Sequence, residues 1–336
     1  MIGREHAKLM REHAGVEFAA LADPAPAGRE MAAQYGCRFF EDYRVLLDEV
    51  KPDGVIVAMP NQLHAEAALA CIDRKIPSLV EKPLADTIEN ALRITEASET
   101  SGVPVLVGHH RRHSPDIREA RRVVASGELG DLVAVNGMCL FDKPDAYFAA
   151  DWRRKAGGGP LLINLIHDID SLRFICGEIE SVRAFTSDAT RGFEVEDTAS
   201  VAIRFTSGVL GTFMISDAVA SPWSWEFTSQ QALYFPAQPG AYLFLGGRKA
   251  SLSVSDLYLW RHTDPAGNWQ TPLQREHRPH DNSRAYVNQL DHFLQVIAGE
   301  AEPLISARDG MMTLAATLGV GIAASEDRTV RVSELV

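Results

Sequence analysis

The sequence predicts an α/β chain in two parts, a doubly wound parallel sheet over residues 1–118 and an α+β domain with a large, mostly antiparallel sheet over residues 119–336. Three observations carry that reading. Through the first 110 residues short apolar runs alternate with helical stretches, the pattern of a parallel sheet with right-handed crossovers. After residue 130 the runs crowd together, and turn signals such as Thr206-Ser207-Gly208 and Leu245-Gly246-Gly247-Arg248 separate several of them, as in an antiparallel meander. A length of 336 residues exceeds one ordinary domain and suffices for two cores.

In the first part, Val16–Ala22, Gly54–Met59, Pro77–Val80 and Val103–Val107 suit strands buried on both faces. Arg4–His13, Pro24–Tyr35, Tyr43–Val50, His64–Arg74 and Ile88–Ser101 read as the helices between them. Gly3 opens the first helix about twenty residues before Asp23, which ends the Val16 strand, a spacing that points to a dinucleotide-binding turn. Met1-Ile2-Gly3-Arg4 reads as the last x-x-G of a GxGxxG turn. A first strand and two further glycines are therefore expected ahead of it, in a longer reading frame.

In the second part, Leu132–Phe141, Glu180–Thr186, Thr198–Phe205, Val209–Ile215, Trp225–Phe235, Tyr242–Leu245, Ser251–Val254 and Leu257–Trp260 read as strands. Leu161–Cys176, Ser283–Ala298 and Ala307–Ala324 read as helices, and the domain boundary falls near the helix Pro115–Ala125.

Composition narrows the function classes. Hydrophobic residues make up 46% and charged ones 23%, ordinary for a soluble globular protein. The net charge of −12, without a basic tract, disfavours nucleic acid as a partner. Cys37, Cys71, Cys139 and Cys176 are dispersed and read as reduced thiols of a cytoplasmic protein. No apolar run approaches the roughly 18 residues of a membrane span, so no membrane partner is expected.

The chemistry concentrates at strand ends and on one helix. Leu79–Leu84 is an apolar strand end that delivers Lys82 and stops at Pro83, whose ring biases Lys82 away from the helical region. In an open α/β sheet that edge is where ligands bind. Gly157-Gly158-Gly159-Pro160 runs into a helix that puts Asn164, His167 and Asp170 on one face. Gly108–His113 follows a parallel strand, where Arg111 or Arg112 offers a planar fork to substrate oxygens. A metal site from His109, His110 and His113 is disfavoured, because adjacent histidines diverge and no carboxylate completes the set. Asn61 is a good helix cap whatever else it does. Asp142, Lys143, Trp223, Trp225, His277 and His280 are further pocket candidates that spacing does not rank.

These motifs together resemble the glucose-fructose oxidoreductase, inositol dehydrogenase and MocA-like (Gfo/Idh/MocA) oxidoreductases. The resemblance rests on Gly3 to His6, Leu21-Ala22-Asp23-Pro24, Met59-Pro60-Asn61 with His64, Glu81-Lys82-Pro83, Trp152-Arg153, and Gly157-Gly158-Gly159 with His167. It implies a Rossmann-type first domain and an NAD(P)-dependent dehydrogenase or reductase acting on a sugar, cyclitol or related polyol. Gly3, Asp23, Pro60, Asn61, His64, Glu81 and Lys82 would then line the cofactor. Lys82 would exchange the hydroxyl proton, its pKa lowered beside a cationic nicotinamide. His167 would orient substrate together with Asn164, Trp152, Arg153 and Arg111 or Arg112, although Trp152 and Arg153 serve equally as a domain-interface anchor. Asp23 favours NAD(H) by repelling a 2′-phosphate, while nearby Arg29 softens the choice and leaves NADP(H) open. The second-domain sheet would make a homodimer or homotetramer. Relatives carry Asp four residues before the histidine, where this chain has Ile163, and that departure keeps a non-catalytic dinucleotide sensor or scaffold in view.

Overall fold

The computed structural model describes every residue except 1, 233 and 265. It divides into two compact units, residues 1–110 with 286–311, and residues 111–285 with 312–336.

The first unit is built from α1 (Ile2–Glu12), β1 (Ala20–Ala22), α2 (Pro26–Tyr35), β2 (Arg38–Phe40), α3 (Tyr43–Val50), β3 (Val55–Val57), α4 (His64–Asp73), β4 (Ser78–Val80), α5 (Ile88–Ser101) and β5 (Val105–Val107). Caps explain where its helices start and stop. The Asp42 carboxylate accepts the Arg44 N–H at 2.8 Å ahead of α3, Thr87 accepts that of Asn90 ahead of α5, and Gly102 ends α5 in a left-handed turn at a φ of 70°.

All the strands of this unit are parallel, but they form two pieces. β1 pairs with β2 (Leu21 opposite Phe39), and β4 lies between β3 and β5 (Ile56, Leu79 and Leu106 in register). Strands β4 and β5 are wholly buried, whereas β1 is half-buried throughout. A groove of ≈ 1840 Å³ is lined by residues before β1 and β2, by Gly54 and Ile56, and by Leu290, Phe293, Leu294 and Ile297. The strand expected over Val16–Ala22 is regular only from Ala20, because its other edge has no strand to pair with among the described residues. Arg38–Phe40 was not expected as a strand. Its three residues carry no alternation long enough to read.

The second unit contains α6 (Pro115–Ala125), β6 (Leu132–Leu140), α7 (Ile166–Cys176), β7 (Ile179–Ser187), β8 (Thr198–Phe205), β9 (Leu210–Ser216), α8 (Trp225–Thr228), β10 (Ala241–Gly247), β11 (Ala250–Ser255), β12 (Tyr258–His262) and β13 (Leu273–His277). Helix α9 (Ala285–Ile297) then belongs to the first unit, α10 (Ala307–Ser325) continues into the second, and β14 (Val330–Arg331) closes the sheet. The nine strands run in the order β13-β12-β11-β10-β6-β9-β8-β7-β14, antiparallel except for the β6–β9 pair. Alternation sets the faces: Val201, Ile203 and Phe205 are buried while Ser200, Ala202 and Arg204 are exposed.

One expected strand is overturned. Trp225–Thr228 is a helical turn after Ser224, with the Trp225 ring buried beneath the Arg111 guanidinium at 4.8 Å, and no strand follows among the described residues to 235. Trp225 and Phe227 alternate with polar residues as in a strand, but so short an alternation does not distinguish a buried helical turn from a strand. No helix of the described residues is long and apolar enough to cross a membrane.

Candidate active site

Parallel strands bring their following loops to one edge, and that edge collects most of the first-unit candidates. Asp23 follows β1, Met59-Pro60-Asn61 follows β3, Glu81-Lys82-Pro83 follows β4, and Gly108 to His110 follows β5. Gly3 lies at the same edge, where an added Cβ would sit 3.6 Å from that of Ala58. The Asp23 Oδ1 accepts the Ala25 N–H at 2.8 Å. Gly28 lies so close that a Cβ there would stand 2.3 Å from the Asp23 Cβ, so the start of α2 wraps this carboxylate.

Lys82 is half-buried and its neighbours are fixed on both sides. On one side Glu81 is buried, its Oε1 2.7 Å from the Nε2 of His6 on α1 and its Oε2 accepting the Lys82 N–H at 3.2 Å. Gly108 packs against Glu81 with no room for a Cβ, which would lie 2.9 Å from the Glu81 Cα. On the other side the buried ring of His64 spans the carbonyls of Pro83 (2.8 Å) and Met59 (2.9 Å). The Lys82–Pro83 peptide is cis. Two residues expected to touch cofactor, His64 and Glu81, thus hold backbone. Next to them Tyr286 stacks on His110 at 4.3 Å and meets His6 edge-on at 6.0 Å.

The second unit presents the other candidates around α7. The glycine run is required by packing: a Cβ on Gly158 would lie 2.3 Å from the Trp152 carbonyl oxygen, and one on Gly159 2.3 Å from Glu196 Oε1. That same Glu196 oxygen accepts the Leu161 N–H at 2.9 Å, and burial pushes its carboxyl up. The chain enters α7 through a wide turn, Leu161–Leu165, rather than as the single regular helix expected. Asn164 stands at half burial in that turn and His167 is buried one turn on.

Lys143 meets Asn164 Oδ1 at 2.8 Å and Asp217 Oδ2 at 3.2 Å, under the Tyr147 ring at 4.9 Å. Burial pulls its pKa down, opposed by Asp217. Trp152 is exposed, and Arg153 lies 3.8 Å over the Tyr147 ring and 5.2 Å from that of Trp152.

Arg111 and Arg112 are placed otherwise than a substrate fork requires. Arg111 is 1% exposed and holds Asp168 and Glu226, each at 2.6 Å. Arg112 grips Asp170 at two points, 2.9 and 2.7 Å. Both pairs anchor α7, the helix that carries His167. Burial raises the Asp168 carboxyl to about 7 although Arg111 pulls it down. His277 and His280 are exposed, His277 on the edge strand β13. Sequence reasoning missed His6, Tyr286 and Asp168. Only Asp168 left a local signal, an acid one residue after His167 on a helix opposite an Arg-Arg pair.

Comparison with known proteins supplies the family. Residues 1–109 match the model of the oxidoreductase family NAD-binding Rossmann fold, and residues 117–233 match the GFO/IDH/MocA C-terminal domain. A 1,5-anhydro-D-fructose reductase from Ensifer adhaerens is 31% identical over 83% of this chain and 80% of its own length. The rhizopine catabolism protein MocA of Rhizobium meliloti is 30% identical over 56% of this chain, and the match spans only 59% of that relative's length. Among solved structures, the WlbA dehydrogenase from Bordetella pertussis, crystallised with NADH and UDP-GlcNAcA, superposes with a TM-score of 0.80 at 22% identity, covering 98% of this chain and 95% of that one. At that identity the likeness concerns the fold. With the parallel-strand edge, the nine-stranded sheet and these matches in agreement, the chain belongs to the Gfo/Idh/MocA family of NAD-binding oxidoreductases.

Proposed function

We propose that this chain is an NAD-dependent dehydrogenase or reductase that moves a hydride between nicotinamide and a carbon bearing a hydroxyl on a sugar, cyclitol or related polyol. The observation that carries the reading is the two-sided bracing of Lys82 at the carboxyl edge of the parallel strands, by Glu81 with His6 and by Pro83 with His64. A surface lysine of no function has no need of two buried histidines on its flanks.

The residues present suit the cofactor. Asp23 keeps one carboxylate oxygen without a partner among the described residues, an acceptor for a ribose diol, and its charge disfavours a 2′-phosphate. Bound nicotinamide supplies the hydride chemistry; the protein supplies position and proton transfer. Lys82 takes the hydroxyl proton in oxidation and returns it in reduction. His167 and the Asn164 amide hold substrate oxygens, with Trp152 and Arg153 as further contacts. Lys143, which has only donors, fixes Asn164 by its oxygen and so turns the amide nitrogen outward as a donor. Arg111 and Arg112 act at one remove, by holding α7. The exposed face of the second-unit sheet, with Phe185, Leu210, Met214 and Phe244, supports assembly into a homodimer or homotetramer.

A second reading, a dinucleotide-binding sensor or scaffold without turnover, is favoured by Ile163 alone, where relatives carry a carboxylate. Incubating the chain with NAD⁺ or NADP⁺ and a panel of cyclitols, hexoses and sugar acids, and following nicotinamide absorbance, separates the two. Reduction of NAD⁺ by at least one polyol is expected. Tight NADH binding without turnover on any of the panel favours the sensor.

A further inference from the structure

We propose that His6 is a positioning residue for Lys82, acting through Glu81, so that the first helix of the chain sets the geometry of the proton-transfer group. The inference rests on the reading of Lys82 as the proton carrier. Its basis lies wholly within the first unit. His6 and Glu81 are 4% and 5% exposed and meet at 2.7 Å, although 75 residues separate them in sequence. A carboxylate only accepts, so the His6 Nε2 carries the hydrogen. The other Glu81 oxygen accepts the N–H of Lys82, the residue whose side chain is to be aimed.

The pair has no freedom to slide. Gly108 closes on the Glu81 backbone and carboxylate at 2.9 to 3.0 Å from where a Cβ would stand, and the Tyr286 ring meets His6 edge-on. A buried carboxylate with one oxygen on an imidazole and the other on the next backbone amide is a clamp on that amide. Without the imidazole, Glu81 is left buried with an oxygen unmatched and is driven to rotate toward solvent. Rotation releases the Lys82 N–H, and a displacement of about 1 Å at a reacting group costs on the order of 100-fold in rate. His6 touches neither end of the proposed reaction, so its contribution is placement alone.

The test compares His6→Leu and His6→Gln with the unaltered chain, using two readouts. Amide hydrogen exchange at Lys82 reports the clamp itself and needs no substrate. Steady-state oxidation of myo-inositol by NAD⁺, together with NADH binding by fluorescence, reports the consequence. In His6→Leu, exchange at Lys82 accelerates and kcat falls by about tenfold or more, while KM for myo-inositol and the Kd of NADH stay within about twofold, the mark of lost placement rather than lost binding. The Gln side chain offers an N–H donor at similar reach, so His6→Gln restores both exchange and kcat to within about threefold.

Unchanged exchange at Lys82 in His6→Leu overturns the proposal, as does a rise in KM or Kd with kcat intact. If His6→Leu loosens all of α1, the Gln variant decides: a folded His6→Gln chain that keeps fast exchange at Lys82 defeats the clamp. An unaltered chain inert toward myo-inositol and every other member of the panel counts against the functional reading, whereas the exchange measurement still upholds or overturns the clamp.

Discussion

Arg112 and Asp170 form a two-point ion pair at 2.9 and 2.7 Å with exposures of 4% and 1%. Substituting Arg112 by Ala removes the cation and leaves a buried carboxylate with the Thr313 hydroxyl, at 3.1 Å, among its donors. Stranding one partner of a buried pair costs about 3–5 kcal/mol, roughly a 150- to 5000-fold loss in the folding constant. An equally well-shaped pair in the first unit supplies the control. Arg308 meets Glu99 at 2.6 and 2.7 Å, but both side chains are about half exposed, so Arg308→Ala should cost under about 1 kcal/mol. Urea unfolding followed by far-ultraviolet circular dichroism measures both, since each unit contains helices. Replacing both partners, Arg112→Met with Asp170→Leu, should recover much of the loss because no charge is left stranded. An Arg112→Ala chain within about 1 kcal/mol of the unaltered one, with a raised KM, would refute the anchoring role and restore Arg112 as a substrate ligand.

Three further outcomes follow from the same geometry. Asp23→Ser removes the charge that faces a 2′-phosphate, so NADPH should bind about tenfold or more tightly than before in a fluorescence titration, and an unchanged preference for NADH contradicts that role. Burial lifts the Asp168 carboxyl from 3.8 to about 7, so between those values the folded chain holds a proton that the unfolded chain has released. Its contribution is full below about pH 4 and declines as pH rises to about 7; Asp168→Asn should flatten that decline in urea midpoints measured across the interval. In the first unit only β4 has a strand on both sides among the described residues, and it is wholly buried, so the amides of β1 and β3 should exchange before its own, and equal protection would contradict the two-piece sheet.

Periodicity made most of the fold legible. The helices Tyr43–Val50 and Ile88–Ser101 and the strand Thr198–Phe205 have the bounds their patterns predict, because each carries a cap or a strict alternation. Trp225–Thr228 was misread because Trp225 and Phe227 alternate with Glu226 and Thr228 at the period of a strand, yet the four residues form one helical turn under Arg111. The candidate site was legible where backbone chemistry marks it: a lysine before proline, glycines before a helix. Partnership across the sequence was not. Nothing near His6 announces Glu81, 75 residues away, and the exposure usual for arginine hid that Arg111 is almost wholly buried.

The account stands on Lys82, and Lys82→Ala tests it most directly. Turnover of whichever polyol the unaltered chain oxidises with NAD⁺ should fall about 100- to 10,000-fold, while the Kd of NADH stays within about twofold. Turnover that survives the substitution would contradict the account.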